Sequence, residues 1–220
     1  MTATHITAET ANRARARTPE VRVRRLGRVE YEPTWRAMQA FTAARAAGAA
    51  DESWLLEHPP VYTLGVAGRA EHLPRVENGI PVVRSDRGGQ ITYHGPGQVV
   101  LYTLLDLRRR GLAVRPLVRL LEHSVIDLLA AHGVAAAARV EAPGVYVDGA
   151  KVAALGLRIR DGCCYHGLAF NVDMDLSPFH AIDPCGYSGL AVTQARSLGI
   201  TDTPGHLGEQ LVQAVLNRLS

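Results

Sequence analysis

The alternation of apolar and polar residues along the chain predicts short strands interspersed with helices. Residues 21–26 alternate valine with arginine, which is typical of an edge strand. Residues 32–47 carry apolar side chains at helical spacing and are followed by Gly48, a residue favoured beyond a helix C-terminus. Strict strand–helix–strand alternation is absent, so we predict an α+β fold with a mixed, largely antiparallel sheet and packed helices. The other predicted strands are 54–56, 61–66, 80–83 and 99–105, and the other predicted helices are 117–131 and 207–219.

Residues 144–172 carry two turn signals, Asp148-Gly149 and Asp161-Gly162, which favour two-residue hairpin turns. They predict a meander of three strands at 144–147, 150–160 and 163–172. Two-residue turns also fix the register between the strands. The predicted opposed pairs are Tyr146 and Lys151, Leu157 and His166, Gly156 and Gly167, Leu155 and Leu168, and Ala154 and Ala169.

Side-chain alternation in this register places Lys151 on a mostly apolar face of the meander. The same face is predicted to hold Ala153, Leu155, Leu157, His166, Leu168 and Phe170. Gly156 opposite Gly167 leaves a gap in side-chain cover, where a slender group can lie against backbone.

Composition and charge narrow the classes of function. The 220 residues fit one domain, and 47% of them are apolar, which is enough for a sizeable core. Residues 1–30 hold seven Arg and three Glu (+4), and the rest hold 17 basic and 18 acidic residues (−1), which gives the net charge of +3. The folded body is therefore nearly neutral, and neither this charge distribution nor any motif indicates nucleic-acid binding. We expect residues 1–20 to be a disordered arm and residues 21–220 to form the domain.

The chain shows no signal peptide and no apolar run of membrane-spanning length. Three cysteines do not make a disulfide framework, so we predict a reducing, cytoplasmic location. A transit peptide is the weaker alternative, because such segments are usually poor in acidic residues and the arm carries Glu9.

Cys185 lies in the sequence Pro184-Cys185-Gly186, which favours a tight turn. Backbone N–H groups after a cysteine on such a turn can face a developing oxyanion. The residues alone leave two interpretations open, a reactive thiol and a small buried hydrophobe. For Cys163 and Cys164 the second interpretation is favoured.

Lys151 is the one lysine among 24 basic residues, the other 23 being arginine. A desolvated lysine can titrate near neutral pH, whereas an arginine cannot. An ammonium close to a cysteine lowers the pKa of the thiol from its ordinary value of about 8.5 and favours the thiolate. The alternative without a catalytic role is a lysine whose aliphatic stem packs on the apolar face while its amine reaches water.

The cysteines and histidines lack the paired spacing of a metal site, so no metal is predicted. The glycine-rich segment 87–97 lacks the Gly-Lys-Ser/Thr of a phosphate-binding loop, and no cofactor is predicted. His94 within that segment either orders the loop or lines a pocket, and the sequence leaves both open.

Four separate segments resemble the lipoyl(octanoyl) transferase family. They are Arg87-Gly-Gly-Gln-Ile-Thr-Tyr-His-Gly-Pro-Gly-Gln98, Lys151-Val-Ala-Ala-Leu-Gly156, His166-Gly-Leu-Ala-Phe-Asn-Val172 and Pro184-Cys-Gly186. Their order and spacing also fit, and the resemblance covers about residues 21–200. It implies a fold shared with biotin and lipoate protein ligases. It also implies octanoyl transfer from acyl carrier protein to a lysine of the lipoyl domains of 2-oxoacid dehydrogenases and of the glycine cleavage H protein.

The resemblance also assigns the site. Cys185 becomes the acyl-thioester nucleophile, and Lys151 becomes the partner that lowers the pKa of its thiol. The acyl pocket is carried over to Arg87, Gly88, Gly89, Gln90, Ile91, Thr92, Tyr93, His94, Ala154, Leu155, Gly156, Gly167, Leu168 and Ala169. Arginines at 108–110, 158 and 160 are candidate docking residues for acidic protein partners.

Two other functions remain as alternatives. An ATP-dependent lipoate ligase resembles this family and also uses a lysine in the matching strand, but it needs no nucleophilic cysteine. A non-catalytic module that binds acyl carriers or lipoyl domains is the second alternative, and the presence of both Cys185 and Lys151 weighs against it.

Overall fold

The computed structural model describes residues 20–46, 48–183 and 189–220. Four α-helices occur in this part of the chain, α1 (Tyr31–Ala43), α2 (Leu107–Arg110), α3 (Val114–Ala131) and α4 (Pro204–Leu219). The strands are β1 (Val21–Arg28), β2 (Asp51–Glu57), β3 (Val61–Leu64), β4 (Val82–Arg84), β5 (Ile91–His94), β6 (Gln98–Asp106), β7 (Ala137–Ala138), β8 (Gly144–Val147), β9 (Ala150–Arg160) and β10 (Cys163–Asn171). Short 3₁₀ turns occur at Ala70–His72, Ser177–Ala181 and Ala195–Leu198.

The strands form two sheets. The large sheet has seven strands in the order β1-β2-β6-β10-β9-β8-β7, and the small sheet has three in the order β4-β3-β5. Pairing is antiparallel except between β1 and β2 and between β3 and β4. The predicted α+β class with a mixed, largely antiparallel sheet is therefore confirmed.

Buried apolar side chains form three separate clusters. Helices α3 and α4 pack on one face of the large sheet, where Leu121 and Leu211 meet Leu101 and Phe170. Helix α1 covers part of the opposite face with Met38. The small sheet packs beside α1 on that same face and has its own apolar cluster. The space between the two sheets is where the site lies.

The meander of residues 144–171 follows the predicted register closely. Gly156 pairs with Gly167 and Tyr146 pairs with Lys151, as expected from the two Asp-Gly turns. Asp148 and Asp161 adopt the positive φ, at 47° and 49°, that this kind of turn requires.

The predicted face of Lys151 is wrong, and a register shift is the reason. A shift between Val145 and Tyr146 inserts one extra residue of β9 into the pairing with β8. Lys151 consequently lies beside Asn171 on the small-sheet side. Phe170, which was predicted to share its face, lies in the core under α3 and α4.

The predicted face of His166 is also wrong. His166 has φ +64°, so its strand does not alternate regularly at this point. Its ring contacts Asp86 and Tyr102 on the small-sheet side.

Helix α1 is shorter than predicted. It ends at Ala43, whereas the sequence pattern placed its end near Gly48. Arg45 lies just beyond its end, and its guanidinium contacts the carboxylate of Asp51, where β2 begins. Strands β2 and β6 extend a few residues further than predicted, β3 ends earlier, and β4 lies further along the chain at Val82–Arg84.

Asp51 is fully buried and joins four elements at this end of the sheet. Its carboxylate contacts Arg45 Nη1 at 2.7 Å, Arg109 Nη2 at 2.8 Å and Arg110 Nε at 2.5 Å. It also accepts a hydrogen bond from the backbone N–H of Asp106 at 2.9 Å. Arg45 and Arg110 are buried themselves, so this carboxylate compensates two charges that water does not reach.

Replacing Asp51 with alanine should therefore lower the free energy of unfolding by about 3–5 kcal/mol, since two buried guanidinium groups lose their counter-charge. Urea unfolding followed by circular dichroism measures the change. Arg36→Ala is the matched control, because Arg36 pairs with Glu32 on the exposed surface of α1 and such pairs contribute little. Equal midpoints for the two variants would contradict the role of Asp51.

Candidate active site

A pocket lies between the small sheet and the central strands of the large sheet. Strands β6, β10 and β9 form its floor, and their paired residues make three successive rungs. Two of these rungs line the pocket, Val100 with Ala169 and Ala154, then Tyr102 with Gly167 and Gly156, and the third, Gln98 with Asn171, lines a smaller cavity beside it. The small residues on β9 and β10 leave an empty volume of about 510 Å³, which includes solvent at the open mouth.

Two glycines of the floor are required by close backbone approach. A Cβ on Gly167 would lie 2.0 Å from the carbonyl oxygen of Leu101 on β6. A Cβ on Gly156 would lie 3.0 Å from the carbonyl oxygen of Gly88, and the N–H of Gly88 donates to the carbonyl oxygen of Leu157 at 2.9 Å. The predicted gap in side-chain cover is therefore partly filled, because the backbone of Gly88 lies against it.

All the predicted pocket residues except Gly88 and Tyr93 line this one pocket. Gly88 contributes through its backbone contact with β9. The ring of Tyr93 points away from the pocket and packs against Tyr62 and Phe179 in the core of the small sheet.

Four further residues line the pocket that the sequence did not assign to it, namely Tyr31, Val100, Tyr102 and His166. Tyr31, Val100 and Tyr102 lie at apolar positions of α1 and β6, where the pattern predicts only core packing. His166 belongs to a segment that resembles the transferase family, and this resemblance was the one sequence signal that could have assigned it to the pocket.

Lys151 lies beside the Gln98–Asn171 rung and lines the smaller cavity, which shares Thr92 and Ala154 with the main pocket. Lys151 is 3% exposed, its Nζ donates to the carbonyl oxygen of Pro143 at 3.3 Å, and the ammonium lies 5.2 Å from the ring centre of Tyr146. The interpretation of Lys151 as an amine that reaches water is wrong.

The backbone of Lys151 is paired on its other side with the segment that follows Cys185. The N–H of Lys151 donates to the carbonyl oxygen of Ala191 at 2.8 Å, and the N–H of Thr193 donates to the carbonyl oxygen of Lys151 at 2.9 Å. Cys185 itself lies outside the described residues, as do its neighbours from 184 to 188. Before it, Asp183 forms an ion pair with Arg75 at 2.9 Å.

A chain of buried hydrogen bonds connects the glycine-rich loop to the Lys151 end of the pocket. Arg87 Nε donates to Thr63 Oγ1 at 2.9 Å, and Thr63 Oγ1 lies 3.3 Å from His94 Nε2. His94 Nδ1 lies 2.7 Å from Gln98 Oε1, and Gln98 Nε2 donates to Asn171 Oδ1 at 2.9 Å. The chain ends where the amide of Asn171 donates to the carbonyl oxygen of Thr193 at 3.0 Å.

The geometry fixes the tautomer of His94. Gln98 Nε2 donates both to Asn171 and to the carbonyl oxygen of Tyr93, so Gln98 Oε1 must accept the proton on His94 Nδ1. Burial lowers the pKa of His94 to about 3, so the ring is neutral and its Nε2 accepts from the Thr63 hydroxyl. His94 therefore lines the pocket and orders its surroundings, which joins the two roles that the sequence left open.

The other two cysteines lie away from the pocket. Cys164 is buried, its Sγ donates to the carbonyl oxygen of Thr103 at 3.3 Å, and burial raises the pKa of its thiol to about 12. Cys163 is half-buried. A thiol with so high a pKa is not a nucleophile at neutral pH, so Cys164 acts as a small buried hydrophobe.

Within the ranges that the structure covers, no three His, Cys, Asp or Glu side chains converge as potential metal ligands. None of the described helices is both long and apolar enough to cross a bilayer.

Comparison with solved structures places the fold. A lipoate-protein ligase A bound with ATP superposes with a TM-score of 0.74 at 15% identity, covering 91% of this chain and 85% of that one. A biotin protein ligase from Aquifex aeolicus in complex with biotin and ATP superposes with a TM-score of 0.56 at 11% identity, covering 90% of this chain and 70% of that one. The expected biotin and lipoate protein ligase-like fold is confirmed.

Comparison with curated sequences places the family. Residues 30–214 match the family described as the lipoyl protein ligase A/B catalytic domain. An octanoyltransferase of Thiobacillus denitrificans (strain ATCC 25259 / T1) is 71% identical over 182 residues, or 83% of each chain. An octanoyltransferase of Azoarcus sp. (strain BH72) is 59% identical over 219 residues, covering 100% of this chain and 96% of that protein. The chain therefore belongs to the lipoyl protein ligase A/B catalytic domain family and, within it, to the octanoyltransferase enzymes.

Proposed function

We propose that this enzyme transfers an octanoyl group from acyl carrier protein to a lysine of lipoyl domains, through a thioester on Cys185. The acceptors in this proposal are the lipoyl domains of 2-oxoacid dehydrogenase complexes and the glycine cleavage H protein. The catalytic domain comprises residues 21–220 and works in the cytoplasm. Support comes from the octanoyltransferase names of relatives that match most of the chain.

Within the structure, one observation supports the proposal. Lys151 is buried beside the apolar pocket. Lys151 is 3% exposed, and its backbone pairs with Ala191 and Thr193. A short stretch of chain connects these residues to Cys185. This connection supports a thiol that reacts beside the ammonium of Lys151.

The first half-reaction forms the thioester on the enzyme. The Cys185 thiolate attacks the carbonyl carbon of octanoyl–acyl carrier protein, and the bond to the carrier's sulfur breaks. The leaving carrier thiolate takes a proton from the ammonium of Lys151, which is left neutral. The ammonium of Lys151 stabilises the attacking thiolate, because a nearby positive charge favours the ionised form of a thiol.

The second half-reaction forms the amide. The amine of the acceptor lysine attacks the thioester carbon, the bond to Cys185 breaks, and the thiolate is regenerated. The attacking amine loses a proton, and neutral Lys151 accepts it as a general base. A thioester is converted to an amide, which is downhill, so the transfer needs neither ATP nor a metal ion.

The docking residues proposed from sequence need one correction. Arg109 and Arg110 contact the buried carboxylate of Asp51 and hold the sheet together. Arg108, Arg158 and Arg160 are exposed, so these three remain as contacts for acidic partner proteins.

Incubation with octanoyl–acyl carrier protein in the absence of ATP should add one octanoyl group to Cys185. Intact mass spectrometry should show the adduct on the wild type and on the matched Cys163→Ala and Cys164→Ala variants. An adduct that persists on Cys185→Ala would refute the nucleophile, and acylation that requires ATP would favour the ligase alternative.

Lys151→Arg should separate the two half-reactions. Guanidinium still favours the thiolate, so Cys185 should keep part of its acylation rate. Guanidinium cannot accept a proton near neutral pH, so transfer to the lipoyl-domain amine should fall by about 10²- to 10⁴-fold. Single-turnover acylation and transfer from pre-acylated enzyme measure the two steps.

Lys151→Met is the comparison variant and should impair both steps, because the thiolate also loses its counter-charge. Transfer by Lys151→Arg at the wild-type rate would show that positive charge alone is sufficient, and the general-base role would be wrong.

A further inference from the structure

His166 adopts a backbone conformation that is unusual for its place in the fold. Its φ is +64°, and the two other described residues with positive φ that are not glycine, Asp148 and Asp161, lie in hairpin turns. His166 instead lies inside β10, where pairing with β6 runs to Cys164 and resumes at Gly167. Left-handed backbone is costly for a residue with a Cβ, so it persists only where the surroundings enforce it.

The side chain of His166 is held in place on several sides. Its Nε2 lies 2.8 Å from Asp86 Oδ1. Its ring stacks on that of Tyr165, with 5.1 Å between the ring centres, and meets the ring of Tyr102 edge to face, with 5.9 Å between the ring centres. It is 1% exposed. The unusual φ turns this ring out of the regular alternation of β10 and into the pocket.

Asp86 is the anchor for this ring. Its carboxylate accepts hydrogen bonds from Trp35 Nε1 at 2.7 Å, from Gln39 Nε2 at 2.9 Å and from the hydroxyl of Tyr165. Burial alone would raise the pKa of Asp86, but the hydrogen bonds from His166, Tyr165 and Gln39 outweigh it and hold the pKa well below its ordinary value.

The ring is neutral as well as fixed. Burial lowers the pKa of His166, and this effect outweighs the opposing contribution of Asp86. Because Asp86 is ionised, the proton of the neutral ring lies on Nε2 and is donated to the carboxylate. The remaining face of the ring is an uncharged surface, which is compatible with an alkyl chain.

His166 stands at the end of the pocket opposite Lys151. Along β10, the Gln98–Asn171 rung lies in the small cavity beside Lys151, the Tyr102–Gly167 rung lies in the adjoining main pocket, and His166 directly follows. Strand residues rise roughly 3.3 Å each, so the distance from Asn171 to Gly167 is roughly 13 Å. An extended octanoyl chain is shorter than this distance by about 4 Å, the length of one van der Waals contact, so a carbonyl beside Asn171 and Lys151 leaves the terminal methyl group next to the ring.

We propose that His166, anchored by Asp86, is the end wall of the acyl pocket and sets the length of the acyl chain that the enzyme accepts. This inference rests on the proposed function, because it takes the acyl group to lie in this pocket with its reactive carbon near Lys151. His166 determines specificity and takes no part in the chemistry.

Two variants remove the wall without imposing a new strain. His166→Asn keeps a residue type that tolerates positive φ, but it removes the ring. His166→Gly adopts the same backbone without cost and opens the end further. Tyr165→Phe is the matched control, because it also removes a hydrogen bond to Asp86, while Tyr165 does not line the pocket.

Single-turnover acylation of Cys185 by octanoyl-, decanoyl- and dodecanoyl–acyl carrier protein gives the chain-length preference. Differences of a methylene group in an apolar pocket change specificity by about 10-fold or more. Both His166 variants should therefore raise the decanoyl-to-octanoyl rate ratio by about 10-fold or more. Tyr165→Phe should keep the wild-type ratio.

Binding of octanoic and decanoic acid to the Cys185→Ala protein, measured by calorimetry, repeats the comparison without the chemical step. A preference that shifts in this assay supports the end wall even where acylation fails, and a wild type that is never acylated counts against the proposed function alone. Unchanged preference in both His166 variants, or an equal shift in Tyr165→Phe, would overturn the inference.

Discussion

The contact between the backbone of Gly88 and strand β9 is the constraint on which the site depends. The N–H of Gly88 donates to the carbonyl oxygen of Leu157, and the carbonyl oxygen of Gly88 lies 3.0 Å from where a Cβ at Gly156 would stand. Backbones approach this closely only where no Cβ intervenes. This contact fixes the small sheet over the large one, and the separation between the two sheets is the pocket.

The buried hydrogen bonds transmit that placement to the reactive end. Arg87 leaves the same loop, and Thr63, His94, Gln98 and Asn171 continue in series, each donor pointing away from the guanidinium. The last amide holds the carbonyl oxygen of Thr193, whose N–H is bonded to Lys151. Since every partner in the series is satisfied in one direction, the series has one stable arrangement and fixes the pocket and the Lys151 strand relative to each other.

Local turn chemistry made the meander predictable. Asp-Gly pairs require positive φ and a two-residue loop, so the pairing of Gly156 with Gly167 followed from sequence before any long-range contact was known. Residues 87–94 were predicted to line an acyl pocket; all of them except Gly88 and Tyr93 line the cavity between the sheets, and the binding of an acyl chain there stays a prediction. Burial of the single lysine was not predictable in detail, because it depends on tertiary contacts from both sides.

The features that the sequence did not predict all depend on tertiary structure. The register shift at Val145 and the positive φ of His166 each interrupt the regular alternation of a strand, and a period-two pattern cannot reveal them. Tyr31 and Tyr102 belong to ordinary apolar patterns and acquire a role only when the small sheet covers them. The fold class and the pairing within the meander follow from local or repetitive sequence patterns. These other details depend on contacts between elements that are distant in sequence.

The outer edges of the large sheet bear on how the protein behaves at high concentration. An open edge strand offers unpaired N–H and C=O groups to any neighbouring chain, and a second copy of the same molecule is the most abundant candidate. At one edge β7 is only two residues long, and at the other β1 carries exposed arginines that pair with glutamates of neighbouring elements. A very short edge strand and an edge strand covered with charged side chains both disfavour pairing with another chain, so this sheet resists the edge-to-edge growth that leads to aggregation.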